Sequence, residues 1–340
     1  MSMTQKLSKR GAFLAASLVL GAALVGPSLS AQTVTTAPVG AVTKTINVGL
    51  NAVGITLLNP DLVVASASAN TSTVITLSGV TSVGALLTAN RPYYVEAVSG
   101  ALEGERFDVD TAATITANNG TVVLNGSSAN NTFALAADNA IGSQFALRQH
   151  VTVSQVQSFF TTSLTSSTNV NNADQIRVFN PATGSFVIYQ YRAANTWVQG
   201  ATNVNNFAIP PGVGIFFRKV GSSATMVMTG GVRVNDFSMP MAAGLSFRAP
   251  GYPISYSPTR LGALTANGWT FNTSANNADQ IRIYNAGTGA FVTYFYRTST
   301  AWVQGATNVT TTDIIPFDSA YLLSRRTADS NYILNSPITL

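Results

Sequence analysis

Asn171 to Val204 reads NNADQIRVFNPATGSFVIYQYRAANTWVQGATNV, and Asn276 to Val309 reads NNADQIRIYNAGTGAFVTYFYRTSTAWVQGATNV. Aligned without gaps at an offset of 105, the two stretches agree at 23 of 34 positions, far beyond chance. A period this long marks duplicated modules, not a solenoid of short units. Within each copy the pattern is β. In Phe186 to Arg192, Val187, Tyr189 and Tyr191 share one face, since successive side chains of a strand point to opposite sides. Their counterparts Val292, Tyr294 and Tyr296 are unchanged. The other face varies: Ile188 becomes Thr293 and Gln190 becomes Phe295. The unchanged face is therefore the expected module core. The preceding strand, Gln175 to Phe179, is joined to it by Asn180-Pro181-Ala182-Thr183-Gly184-Ser185, whose Asn, Pro and Gly suit a short hairpin loop. Pro210-Pro211-Gly212 marks the turn before a further apolar strand, Val213 to Arg218.

The duplication continues more weakly outward. Ile209 to Phe217 faces Ile315 to Leu323, after one inserted residue. Upstream, Gly142 to Phe145 and Gly244 to Phe247 share G-x-x-F. Gly49-Leu50 after an alternating strand also echoes Gly244-Leu245 after the strand-like run Val232 to Met241, which suggests a related strand opening each part. Helix signals are few. Ser257 to Leu264 has a capping Ser and a Pro at the first-turn position, which predicts a short helix. Ser154 to Phe160 is its expected partner. From Thr33 to Ala140, strand-like runs (Val42 to Val48, Thr73 to Leu77, Tyr93 to Val98, Thr121 to Leu124) alternate with Asn, Gly and Ser clusters. The expected fold class is all-β, with antiparallel sandwich or barrel-like modules, two of them homologous, and at most short helices. Sandwich and barrel both fit the strand count. The expected divisions are residues 1–31 (signal peptide), 32–140 (N-terminal β domain), 141–231 (module 1) and 232–340 (module 2).

Composition narrows the chemistry. The 340 residues include no Cys and one His, and only 9% are charged, against about 25% in an average domain. Disulfides, thiol catalysis and Cys-based metal sites are excluded. The formal charge of +5 is partly an export feature. Lys6, Lys9 and Arg10 precede an apolar run from Gly11 to Val25, and small residues follow at Ser28, Ser30 and Ala31. This is the pattern of a secretory signal peptide cleaved after Ser30 or Ala31. Removing its three cations leaves 15 basic and 13 acidic residues, a net of +2. No later apolar run approaches the roughly 18 residues of a membrane helix, so no transmembrane helix is expected in the mature chain. A nucleic-acid reader would concentrate its positive charge on one face; this thin charge predicts none. No P-loop, G-x-G-x-x-G or H-E-x-x-H occurs, and no cofactor is expected.

Five of the 13 acids (Glu96, Glu103, Glu105, Asp108 and Asp110) fall in one short stretch. Glu103, Glu105 and Asp108 are weak Ca²⁺ candidates, because Ca²⁺ takes several oxygens. The spacing fits no EF-hand, and Arg91 and Arg106 lie nearby as ion-pair partners. A solvated or ion-paired surface is the leading reading. Asp174 and Asp279 occupy matching places after Asn-Asn-Ala, where Asn and Asp cap turns. His150 corresponds roughly to Tyr252 in the second module, so nothing duplicated depends on imidazole, and it carries no catalytic expectation. No catalytic residue is assigned. Trp197 and Trp302 recur with Val-Gln-Gly after them. As ring platforms for sugars, oriented by Gln199, Gln304, Arg192 and Arg297, they form a candidate ligand site. The same aromatics serve equally as the cores of two modules.

Several segments together carry a resemblance: the opening Pro38 to Val42, YYVEAVSGALEGERFDV at Tyr93 to Val109, the duplicated DQIR…YR…W blocks, and IPPGVGIFFR at Ile209 to Arg218. Behind a signal peptide, this succession resembles an expanded paralogous family of exported proteins of verrucomicrobial and related bacteria. The second copy departs from the pattern at Pro316 to Ala320. The resemblance implies export and carries over no activity, cofactor or catalytic residue. The expected function is that of a non-enzymatic surface or extracellular structural or interaction protein. Its partners would be polysaccharide or other cell-envelope components. A carbohydrate-binding protein is the alternative, and a hydrolase or an outer-membrane barrel ranks below both.

Overall fold

The duplicated segments fold into matching hairpins. In the computed structural model, which describes residues 38–193 and 195–338, Gln175–Asn180 pairs with Ser185–Ala193 from Gln175↔Gln190 to Asn180↔Ser185. Gln280–Asn285 pairs with Ala290–Thr298 in the same register, from Gln280↔Phe295 to Asn285↔Ala290. Gly184 and Gly289 close the two turns at φ of 63° and 69°, a left-handed conformation that costs glycine no Cβ clash. Even the irregularities match: the register shifts after Tyr191 in one copy and after Tyr296 in the other.

Each hairpin lies inside a six-stranded antiparallel sheet. The first sheet runs, in spatial order, Thr202–Asn203, Thr196–Gln199, Ser185–Ala193, Gln175–Asn180, Ile215–Lys219 and Gly49–Val53. The second runs Thr307–Asn308, Ala301–Gln304, Ala290–Thr298, Gln280–Asn285, Tyr321–Arg325 and Gly244–Arg248. The order is the same, and Gly49–Val53 fills the place of Gly244–Arg248. The Gly49-Leu50 echo thus marks equivalent strands. The G-x-x-F match at Gly142 to Phe145 joins unlike ones. Gln144–Gln149 pairs with Tyr93–Ser99 and Asp61–Asn70 in a third sheet, whose other strands are Arg106–Asp108, Val74–Leu77 and Thr121–Val123. The chain therefore contributes Gly49–Val53 to the first sheet before it builds the third over 61–149. It then returns at Val151–Thr152, which pairs with Ala208–Ile209. Sheet membership does not follow a cut at residue 140.

The expected helix at Ser257 to Leu264 is absent. Ser257 does cap, its Oγ accepting from Arg260 N–H, but a single turn forms and Gly262 ends it at φ 72°. The partner segment is helical over Val153–Ser158, capped by Thr152. A second α-helix, Thr111–Ala117, is capped by Asp110. The expected strand from Val232 to Met241 is confined to Phe237–Ser238, which pairs with Ile333–Leu334. The expected signal peptide lies outside the described residues. From Pro38 onward the chain forms one compact unit. Among the described residues no helix is long and apolar enough to cross a membrane.

Two cores lie on the inward faces of the duplicated sheets. Tyr189, Tyr191, Trp197, Ile176 and Phe217 pack with Val42, Ile46 and Met226; the last three come from the ribbon Val39–Ile46 with Ala224–Gly231. Tyr296, Trp302, Ile281 and Leu323 pack with Trp269, Tyr252 and Phe237. The opposite faces of the same sheets meet each other. Phe186 and Phe216 contact Phe247, with ring centroids 5.4 and 4.5 Å apart, and Phe216 contacts Tyr284 at 5.0 Å. On the hairpin face opposite the core, Phe186, shared by both copies, makes this contact, whereas the varied Ile188 is exposed. That contact is reciprocal. Ala249 N–H donates to Gly212 O, and Gly54 N–H donates to Asp318 O. A Cβ added at Gly214 would lie 2.5 Å from the Cβ of Ala320, its counterpart in the duplication. Such self-matching contact is the geometry of a two-fold interface, here within one chain.

Candidate functional site

The hairpin geometry decides the fate of the candidate aromatic platform. Trp197 stands opposite Tyr191, and Trp302 opposite Tyr296, on the inward face of each sheet. Both indoles are 0% exposed. Trp302 Nε1–H donates to Ala263 O at 2.7 Å, and Trp197 Nε1–H to Gln157 Oε1 at 3.3 Å. The tyrosine rings lie 5.1 and 5.3 Å away. A stacking platform needs an open ring face, and neither indole has one, which corrects the platform reading of Trp197 and Trp302. Gln199, Gln304, Arg192 and Arg297 are exposed, separated from the rings they were to assist.

The acidic stretch is likewise dispersed. Glu103 Oε1 accepts from Asp236 N–H at 3.1 Å, and Glu105 Oε2 from Thr132 Oγ1 at 2.5 Å. Asp108 accepts from Ser128 and Asn130 on Oδ2 and meets His150 Nε2 at 2.8 Å on Oδ1. Burial pulls the Asp108 carboxyl upward. The hydrogen bond and charge of His150, with the Ser128 and Asn130 bonds, outweigh it and hold the group below its ordinary value. Among the described residues no three His, Asp or Glu side chains group as metal ligands. The weak Ca²⁺ candidates thus point to three separate sets of partners.

Glu96 is the centre of a buried charge network. It is 0% exposed, on the strand Tyr93–Ser99. Arg233 Nε donates to it at 2.8 Å and Nη2 at 3.3 Å. Arg148, which also holds Asp61, donates through Nη1. Burial alone would raise the Glu96 pKa, but Arg233, Arg148 and Arg106 together hold it down. Arg106 and Arg233 each stand 4.2 Å from the centroid of the Phe237 ring. Burial pushes Arg106 down to about 10. Glu96 thus links the third sheet to the segment that opens the second module.

Asp174 and Asp279 are matching hubs, both 0% exposed. Asp174 accepts from Thr165 N–H and Val220 N–H and pairs with Lys219 at 3.0 Å. Asp279 accepts from Thr270 N–H and Arg326 N–H and faces Arg325 Nε at 3.4 Å. The local Asn-Asn-Ala-Asp motif signals a turn, but the cation partners lie 45 residues or more away and carry no local signal.

Sequence reasoning also missed an open concavity. A groove of about 610 Å³ opens between the duplicated modules, with Ala129 and Asn130 of the third-sheet segment at its rim. Val178, Phe207, Pro210, Val213, Met241 and Phe247 are among its apolar walls. Among the described residues, Arg248 is its one cationic wall residue. Its Nε donates to Ser246 Oγ at 3.3 Å and its Nη2 to Pro240 O at 2.6 Å. Burial pushes this guanidinium below its ordinary range. The walls come from several distant segments, so no window of sequence announces the groove. No known family model, curated protein or solved structure matches the chain.

Proposed function

We propose that the chain is an exported, non-enzymatic β-rich protein that acts by contact at the cell surface or outside the cell, as the family it resembles implies. The observation that carries this reading is the use of its carboxylates. Hydrolysis of a glycoside needs two carboxyl groups facing a sugar. Glu96, Asp174 and Asp279 are instead enclosed with cations, and Glu103, Glu105 and Asp108 hold loops. Export rests on the residue pattern of positions 1–31.

Fractionation of the native cells, with N-terminal sequencing of the recovered protein, tests the proposal. A chain beginning at Ala31 or Gln32 in the envelope or medium is expected. A full-length cytoplasmic chain contradicts it. Polysaccharide pull-down addresses the glycan alternative through the exposed Arg192 and Arg297. Retention lost in an Arg192→Ala, Arg297→Ala double variant would favour that alternative.

A further inference from the structure

The groove at the module junction has two properties that together specify a ligand. Its walls are largely apolar, and its volume is that of ordinary small-molecule sites, which run from about 300 to 1,000 Å³. It also holds a cation without a counter-ion. Among the described residues no carboxylate lies within 4 Å of Arg248, whereas Arg148, Arg233, Arg260 and Arg325 each have one. The two hydrogen bonds of Arg248, to a hydroxyl and a carbonyl, fix the plane of the guanidinium without neutralising it. Nη1 makes no hydrogen bond among the described residues, leaving an edge for a charged acceptor.

We propose that this groove binds an apolar monocarboxylic acid of the fatty-acid class, its carboxylate paired with Arg248 and its chain against Val178, Phe207, Val213 and Phe247. Complementarity of charge selects the acid head, and the walls select the apolar body. An extended peptide fits less well. It would bring amides that need partners, and the neighbouring backbone is already committed: Gly214 N–H donates to Phe247 O and Ala249 N–H to Gly212 O. Pro181, Pro210 and Pro240 line the groove and have no N–H to offer. The inference concerns the folded protein itself and stands whether or not the chain is exported.

Equilibrium dialysis of radiolabelled laurate against the purified protein tests it, with dodecanol as the uncharged competitor of equal length. Saturable one-to-one binding is expected, with laurate preferred over dodecanol by about ten-fold or more. Arg248→Gln removes that preference and leaves dodecanol affinity within about two-fold. Ala242→Trp, at an exposed position on the wall, fills the groove and abolishes binding of both. Three results overturn the proposal: no saturable binding by folded wild-type protein at about 1 mM laurate, equal wild-type affinity for laurate and dodecanol, or laurate displaced as well by an amidated apolar peptide as by unlabelled laurate. The wild-type acid-over-alcohol comparison decides the matter even where Arg248→Gln fails to fold.

Discussion

At the residue scale, the sparse charges work as buried fastenings. Asp174 and Asp279 each terminate two backbone N–H groups and one cation, in a place where an unpaired ion costs several kcal/mol. Asp174→Asn strands the 3%-exposed Lys219 and is expected to cost about 3 kcal/mol or more in urea unfolding. The double variant with Lys219→Met should recover part of that loss; a single-variant cost under about 1 kcal/mol would remove the hub from the account. Glu96 and Asp108 set the response to acid. Both native pKa values lie below their unfolded values. The stability they add is complete above the ordinary carboxylate pKa of about 4 and drains as pH falls through the lower native values. Urea midpoints measured from neutral pH downward should therefore fall on the acid side, less steeply in Glu96→Gln. An identical acid slope in that variant would contradict the assignment of Glu96.

At the element scale, the decisive contact is the close approach of Gly214 to Ala320 where the two modules meet. Gly214→Ala places a Cβ 2.5 Å from the Ala320 Cβ and 2.8 Å from Arg248 O. Overpacking of this kind costs about 1–3 kcal/mol. Ala320→Gly in the same chain should return part of it, because one of the two clashes disappears. Equal stability of Gly214→Ala and wild type in thermal melts would refute the reciprocal contact. Elements differ in how plainly sequence shows them. The hairpins are legible because alternation, turn residues and duplication agree there. Tyr189 and Tyr191 mark the inward face, and both are buried. Asp61–Asn70 was not legible, since its run of Ala and Ser carries little apolar signal. The Ser257 turn shows the reverse: a good cap begins a helix that Gly262 does not allow to continue. The Glu96 network and the Arg248 groove were hidden for another reason. Their members are distant in sequence (Glu96 and Arg233 by 137 residues), and proximity is created only by folding.

At the scale of the whole molecule, two junctions of different chemistry help to hold the three six-stranded sheets together. An aromatic contact joins the duplicated sheets, and a charge network centred on Glu96 joins the third sheet to the second module. The first junction is apolar and tolerant of pH; the second depends on a carboxylate. Because Arg148 and Arg233 come from opposite sides of the second junction, loss of Glu96 leaves like charges facing each other with nothing between them. Scanning calorimetry of the intact protein tests this welding most directly. One transition is expected for wild type, with matching calorimetric and van't Hoff enthalpies, and two transitions for Glu96→Ala as the third sheet melts apart from the modules. Two transitions in the wild-type protein, or one unshifted transition in Glu96→Ala, would contradict it.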